Sequence, residues 1–272
     1  MISVLSDMMS YTFIVRAMIV GGLVALCSAL LGVSLVLKRY SMIGDGLSHV
    51  AFAALTIAVA MNVAPLYIST PIVTVAAIIL LRLSENSKIK GDSAIALIST
   101  VSIAIGVVVT ALTKGMNTDV YSYMFGSILA MSESDVYMSI ALSVVVIILF
   151  VFFYNKIFAV TFDESFAKAT GTRADAYNMI IAVLTAITIV VGMRIMGTML
   201  ISSLIVFPSL TSMRIFKRFK SVTICSAILS VVNFTIGLIC SYGFSIPAGA
   251  SVVVANLIMY IIFAIVAKVK TM

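Results

Sequence analysis

Asp45 and His49 are the two residues of this chain whose types and spacing lend themselves most directly to chemistry. They stand four apart in the stretch Arg39-Tyr-Ser-Met-Ile-Gly-Asp-Gly-Leu-Ser-His49-Val-Ala-Phe-Ala, so a helix there places them one turn apart on a single face. A carboxylate oxygen and an imidazole nitrogen at that spacing can share one cation, and mixed oxygen and nitrogen ligation suits manganese, iron or zinc. The same spacing has a plainer use, in which Asp45 caps the helix by accepting backbone N–H bonds and His49 makes an interhelical hydrogen bond. His49 is the only histidine of the chain.

The elements that must position this pair are membrane spans. Of 272 residues 62% are hydrophobic and 10% charged, with a mean hydropathy of +1.25, whereas soluble domains carry roughly 45–50% apolar and about 25% charged residues. Runs of about 20 apolar residues match the hydrocarbon core of a bilayer, which only helices or closed barrels can cross. The runs here are too continuous for barrel strands. Hydropathy and breakers predict an all-α chain with spans near 12–37, 44–61, 66–81, 94–113, 136–155, 177–193, 196–211, 222–242 and 248–267. That makes nine helices, or eight if Gly192 to Gly197 is a break within one long helix. An ionisable pair inside such a span is expensive and usually marks an ion pathway.

Basic residues give the orientation. Lys38, Arg39, Arg82, Lys88, Lys90, Lys156, Lys168, Arg173, Arg214, Lys217, Arg218, Lys220, Lys268 and Lys270 fall on one set of alternate loops, 14 of the 17 Lys and Arg. Arg16, Lys114 and Arg194 fall on the other. The positive-inside rule then predicts a cytoplasmic C-terminus and an external N-terminus. The net charge of +7 is read as loop charge beside anionic membrane lipid, not as a nucleic-acid surface. The first apolar run lacks a basic start and a small-residue cleavage site, so a mature helix is expected there rather than a signal peptide.

Several chemistries are excluded. Cys27, Cys225 and Cys240 lie in apolar spans without CxxC spacing, as small buried residues do. The 17 methionines follow no repeated spacing, so gap-filling is the expected use rather than copper ligation. No Walker A loop, GxSxG elbow or HExxH is present, so the chain is expected not to be an enzyme and any ATP would be hydrolysed by a separate subunit. Ser202, Ser203, Asn233, Ser251 and Asn256 are expected to make interhelical hydrogen bonds or small-residue packing. From Asp163 to Arg173, Asp163, Glu164, Lys168 and Arg173 alternate with Phe162, Phe166 and Ala167. That pattern predicts a short amphipathic helix outside the membrane, or one resting on lipid headgroups.

Four motifs in order resemble the permease subunits of the zinc and manganese ABC importers. Arg39 to Ala53 is similar to that family's basic residues followed by a Gly-Asp-Ala-Leu-Ser-His-like stretch. Thr161 to Gly171 resembles its cytoplasmic segment, usually Asp-Pro-Glu-Phe-Ala followed by Leu-Gly. Val191 to Pro208 is similar to its Gly-rich helix ending in a proline, and Ile246-Pro-Ala-Gly to its Pro-x-Gly entry to the last helix. The chain departs from the pattern in places. Gly46 stands where Ala is common, and Phe52-Ala-Ala54 replaces a Pro-Gly pair. Ser209 to Ser212 replaces an Ala-Ala-Thr-Ala-like run, Glu164 stands where proline is usual, and Ala169-Thr170 where Val-Leu is common.

The resemblance implies a single permease domain over 1–272 of the type II ABC importer kind, in the cytoplasmic membrane, with a coupling segment near 161–175. It implies a divalent zinc, manganese or iron ion as cargo, no permanently bound cofactor, Asp45 and His49 as metal ligands, and Asp163, Glu164, Phe166, Ala167, Lys168 and Gly171 as the contact with an ATPase. Expected partners are a cytoplasmic ATP-binding subunit, an extracytoplasmic metal-binding protein and a second copy of the chain. A secondary ion-coupled transporter working without an ATPase, or a metal-chelate ABC permease, would use the same spans differently.

Overall fold

The computed structural model describes residue 8 and residues 10–86, 91–113 and 133–271. Lys88, Lys90 and Lys114 lie outside these residues. Among those described, the chain is all helix, with no strand. Nine helices are long and apolar enough to cross a membrane. They are α1 (Thr12–Leu37), α2 (Ile43–Ala60), α3 (Pro65–Asn86), α4 (Gly91–Leu112), α5 (Glu133–Phe152), α8 (Ala174–Met196), α9 (Thr198–Ile215), α10 (Phe219–Phe244) and α11 (Ala248–Thr271). Two shorter helices, α6 (Tyr154–Phe162) and α7 (Glu164–Ala169), stand between α5 and α8. The expected all-α fold is the one observed.

α1, α2 and α8 are the most deeply covered spans, and α4 and α11 the least. α1 lies against α5, α8, α9 and α10, while α2 lies against α3, α4, α8 and α9. Hydrogen bonds between spans fasten this arrangement where no water competes. Asn233 of α10 donates to Asn256 of α11 at 2.8 Å, and Asn256 donates to Ser203 of α9 at 3.1 Å. Ser230 donates to the Ala25 carbonyl at 2.8 Å. Each such bond contributes on the order of 1 kcal/mol or less. Ser202 instead bonds the Thr198 carbonyl of its own helix, and Ser251 the carbonyl of Pro247 just before its own.

The short links left between the spans near 44–61 and 66–81 and between those near 177–193 and 196–211 both occur. Met61 to Ala64 joins α2 to α3, with Asn62 in the left-handed region at φ 54°. Gly197 alone separates α8 from α9, at φ 80° and ψ 171°, a conformation that costs a side chain more than it costs glycine. The span expected over 196–211 runs past Pro208, and α9 does so, continuing to Ile215. Proline removes one backbone N–H from the ladder. On either side of it the Ile205 and Pro208 carbonyls accept from Ser209 and Ser212 hydroxyls at 3.0 and 2.7 Å. α6 is an addition to the sequence reading, set off from α5 by a turn at Phe153. Tyr154, Phe158 and Phe162 form a stripe down α6, with ring centroids 5.6, 5.2 and 6.0 Å from that of Phe219. This aromatic cluster holds α6 to the start of α10.

Candidate metal site and coupling end

α2 starts from a turn with little slack. α1 ends at Lys38, and Arg39 takes the left-handed backbone conformation at φ 63°. The Arg39 N–H bonds the Val36 carbonyl at 3.1 Å and the Tyr40 N–H bonds the Leu35 carbonyl at 2.8 Å. This pair of bonds closes helix C-termini, usually around a glycine. The Tyr40 carbonyl in turn accepts from the Ile43 N–H at 3.0 Å, so α2 begins at once.

Two glycines decide which face of α2 stays open. Gly44 and Gly46 flank Asp45, about 100° to either side on a helix of 3.6 residues per turn. A Cβ on Gly44 would lie 3.0 Å from Ile205 Cδ1 of α9, and one on Gly46 would lie 2.7 Å from Ile95 Cγ2 of α4. α9 and α4 therefore close on the two flanks, and Asp45 faces the gap between them. His49, one turn on, shares that face. Its Nε2 is 3.6 Å from Asp45 Oδ2, and the Asp45 and His49 side chains are 43% and 19% exposed.

Metal bonds of about 2.0–2.2 Å let one cation reach two atoms at that separation. The capping alternative does not fit α2, whose N-cap is Met42 and carries no side-chain hydrogen bond. Among the described residues His49 makes no hydrogen bond to another helix. Nor does any group of three or more His, Cys, Asp or Glu side chains suited to a metal occur among them. The pair thus offers two ligands where such ions take four or more.

The second site grows from Asp163. It takes an extended backbone, φ −148° and ψ 95°, and its carboxylate accepts the Phe166 N–H at 2.8 Å, capping α7. The six residues expected to meet an ATPase then separate. Phe166 points outward at 64% exposed, while Ala167 is buried against Val160 and Ala174. Gly171, at φ 80°, ends the turn with open space around it. Glu164 and Lys168 are tied internally. Glu164 Oε2 accepts from Lys38 Nζ at 3.3 Å and from Asn178 Nδ2 at 3.1 Å, and its Oε1 meets Lys168 Nζ at 3.1 Å. Lys38 also donates to Asn178 Oδ1, and Lys168 reaches Asp175 at 2.9 Å.

Burial pushes the Glu164 carboxyl up, but the hydrogen bonds from Asn178 and Lys168 and the charge and hydrogen bond of Lys38 hold it below its ordinary range. The bonds to Asp175 and then Glu164 hold Lys168 above its own. Lys38, Asn178 and Asp175 were not among the expected site residues. The one trace of them in the sequence is Glu164 itself, a charged residue in the place of a proline.

A bundle of apolar spans of this length, with polar groups gathered at one end, has the build of a multi-pass membrane protein. Family comparison agrees: residues 10–267 match the ABC 3 transport family, and the chain belongs to it. It is therefore a membrane-spanning permease subunit of an ABC importer. It is 27% identical over 265 residues to a manganese transport system membrane protein of Listeria monocytogenes, covering 97% of this chain and 94% of that one. It is 28% identical over 248 residues to a high-affinity zinc uptake system membrane protein of Haemophilus influenzae, covering 90% and 94%. Among solved structures it is similar to PsaBC from Streptococcus pneumoniae in complex with Fab, with a TM-score of 0.86 and 26% identity over 97% of this chain and 95% of that one.

Proposed function

We propose that this permease carries a divalent first-row metal ion, zinc, manganese or iron, with Asp45 and His49 as its ligands on the pathway. The observation that carries this reading is the Asp45 and His49 pair on the one face of α2 left open between Gly44 and Gly46. Two ligands are too few, so a second copy of the chain would bring its own pair to a shared twofold axis and complete the shell. Relatives named for manganese and for zinc support a divalent cargo of this kind. Ligating imidazole must be neutral, so acidification weakens binding by proton competition.

In the same reading an extracytoplasmic protein delivers the ion, and a cytoplasmic ATP-binding subunit docks on Asp163 to Gly171, with Phe166 as the exposed anchor. Ion pairs fit this layout: Lys38 meets Glu164 at one end of the bundle, and Arg16 meets Glu133 at the other. The C-terminus is then cytoplasmic and the N-terminus external. A reporter fused after Lys268 should read cytoplasmic, and an external reading reverses the orientation.

The test is reconstitution of the permease with its ATPase in vesicles, with metal content of the purified complex measured alongside uptake. Two permease chains per complex, bound manganese or zinc and ATP-dependent uptake are expected. Uptake by the permease without an ATPase would turn the reading toward a secondary transporter.

A further inference from the structure

We propose that Lys38, Glu164 and Asn178 form a latch through which movement of α7 reaches the helix bearing Asp45 and His49, so that Lys38 is a positioning residue for transport. This rests on the reading of α7 as the docking segment. Three elements distant in sequence meet here: the end of α1, the first residue of α7 and the first turns of α8. Lys38 is only 12% exposed and Asn178 is buried. The two share both a direct bond and the same Glu164 oxygen, so no member can move without breaking bonds to the other two.

The latch is also the directed tie between α7 and α1. α7 itself buries only Ala167 and otherwise packs on its chain neighbours α6 and α8, so its apolar hold is slight. From Lys38 the path to the metal pair is short and stiff. Lys38 is the C-cap residue of α1, its own N–H is bonded to the Ser34 carbonyl at 3.0 Å, and the closed turn through Arg39 and Tyr40 leads straight into Ile43. A pull on the Lys38 ammonium is carried through that turn to the first two turns of α2, where Asp45 and His49 stand. Lys168 braces the other side by joining Glu164 to Asp175.

The experiment compares manganese uptake with ATP hydrolysis in the same vesicles, using the permease assembled with its ATPase. Glu164→Gln keeps the shape but removes the charge and turns one of the two accepting oxygens into a donor, and Lys38→Met removes the ammonium. Each should lower ions moved per ATP by roughly tenfold, within the range such couplings span, and with Lys38→Met, which lies outside the docking segment, the ATPase still co-purifies. The double variant should be no worse than either single one, because both act through one bond. Unchanged ions per ATP in both single variants, with Phe166→Ala still uncoupled, overturns the latch and leaves the docking reading standing. If Phe166→Ala changes neither co-purification nor coupling, the docking reading falls and the latch with it.

Discussion

The open face of α2 and the polar network around α7 are built from similar side chains and end up in opposite states. Asp45 and His49 face a gap, separated by 3.6 Å, with Gly44 and Gly46 letting neighbours close on both flanks but not over the pair. Glu164 uses both carboxylate oxygens on Lys38, Asn178 and Lys168. A carboxylate left with spare valence in a membrane span invites a cation and a second set of ligands. A carboxylate already shared among three donors has little capacity left for a ligand and is suited instead to act as a joint. On the proposed reading, the first place receives a cation and the second transmits force.

The largest effect should come from breaking the open pair. Asp45→Ala and His49→Ala are each expected to reduce metal uptake by about a hundredfold or more, since even residues that merely orient ligands are worth 10–100-fold. Assembly with the ATPase should persist, because neither residue touches α7. Uptake in vesicles and co-purification measure the two arms, and near-normal uptake in His49→Ala would return that residue to packing.

The closed network should respond to pH with a smaller, two-sided effect. Glu164 is held below its ordinary value of 4.5, so its contribution to stability is complete above that value and is lost as pH falls through the folded-state value beneath it. Lys168 is held above its ordinary 10.5, so its contribution is complete below that value and is lost as pH rises through the higher folded-state value. Thermal melting of the solubilised protein should therefore plateau between these limits, and Glu164→Gln should flatten the acid limb and lessen the alkaline one, since Glu164 is also a partner of Lys168. An unchanged acid limb in that variant would mean that Glu164 does not stabilise the fold.

The smallest effect sharpens the role of α7 itself. Asp163→Ala removes the cap on the Phe166 N–H and should cost about 1 kcal/mol of local helix stability. Faster hydrogen exchange at Phe166, with modestly weaker ATPase binding and unaltered metal binding, is expected. Equal exchange in both proteins would show that packing, not capping, holds the helix.

Much of this molecule was legible without coordinates, because the signals are local. A span is a run of apolar residues of a given length, and each of the nine was placed to within a few residues on that basis. The shared face of Asp45 and His49 follows from four-residue spacing on any helix. Gly197 was legible as a break, since glycine tolerates a backbone that other residues resist. The separate helix α6 was not, because what holds it is the packing of Tyr154, Phe158 and Phe162 on Phe219 of a distant span.

Only the tertiary structure decided which surfaces are covered. That Asp45 faces a gap depends on where Ile205 and Ile95 arrive, and neither position is encoded near residue 45. Lys38 could be read only as a loop charge, and Asn178 only as part of a span. The partners of Lys38, Glu164 and Asn178, lie 126 and 140 residues from it along the chain. Glu164 showed in the sequence as a member of the coupling segment and as an unusual residue in a proline's place, with no sign of its partners in other helices. Hydropathy and spacing report what each segment is, whereas the pairing of charges across segments depends on how the spans pack, which no short window of sequence contains.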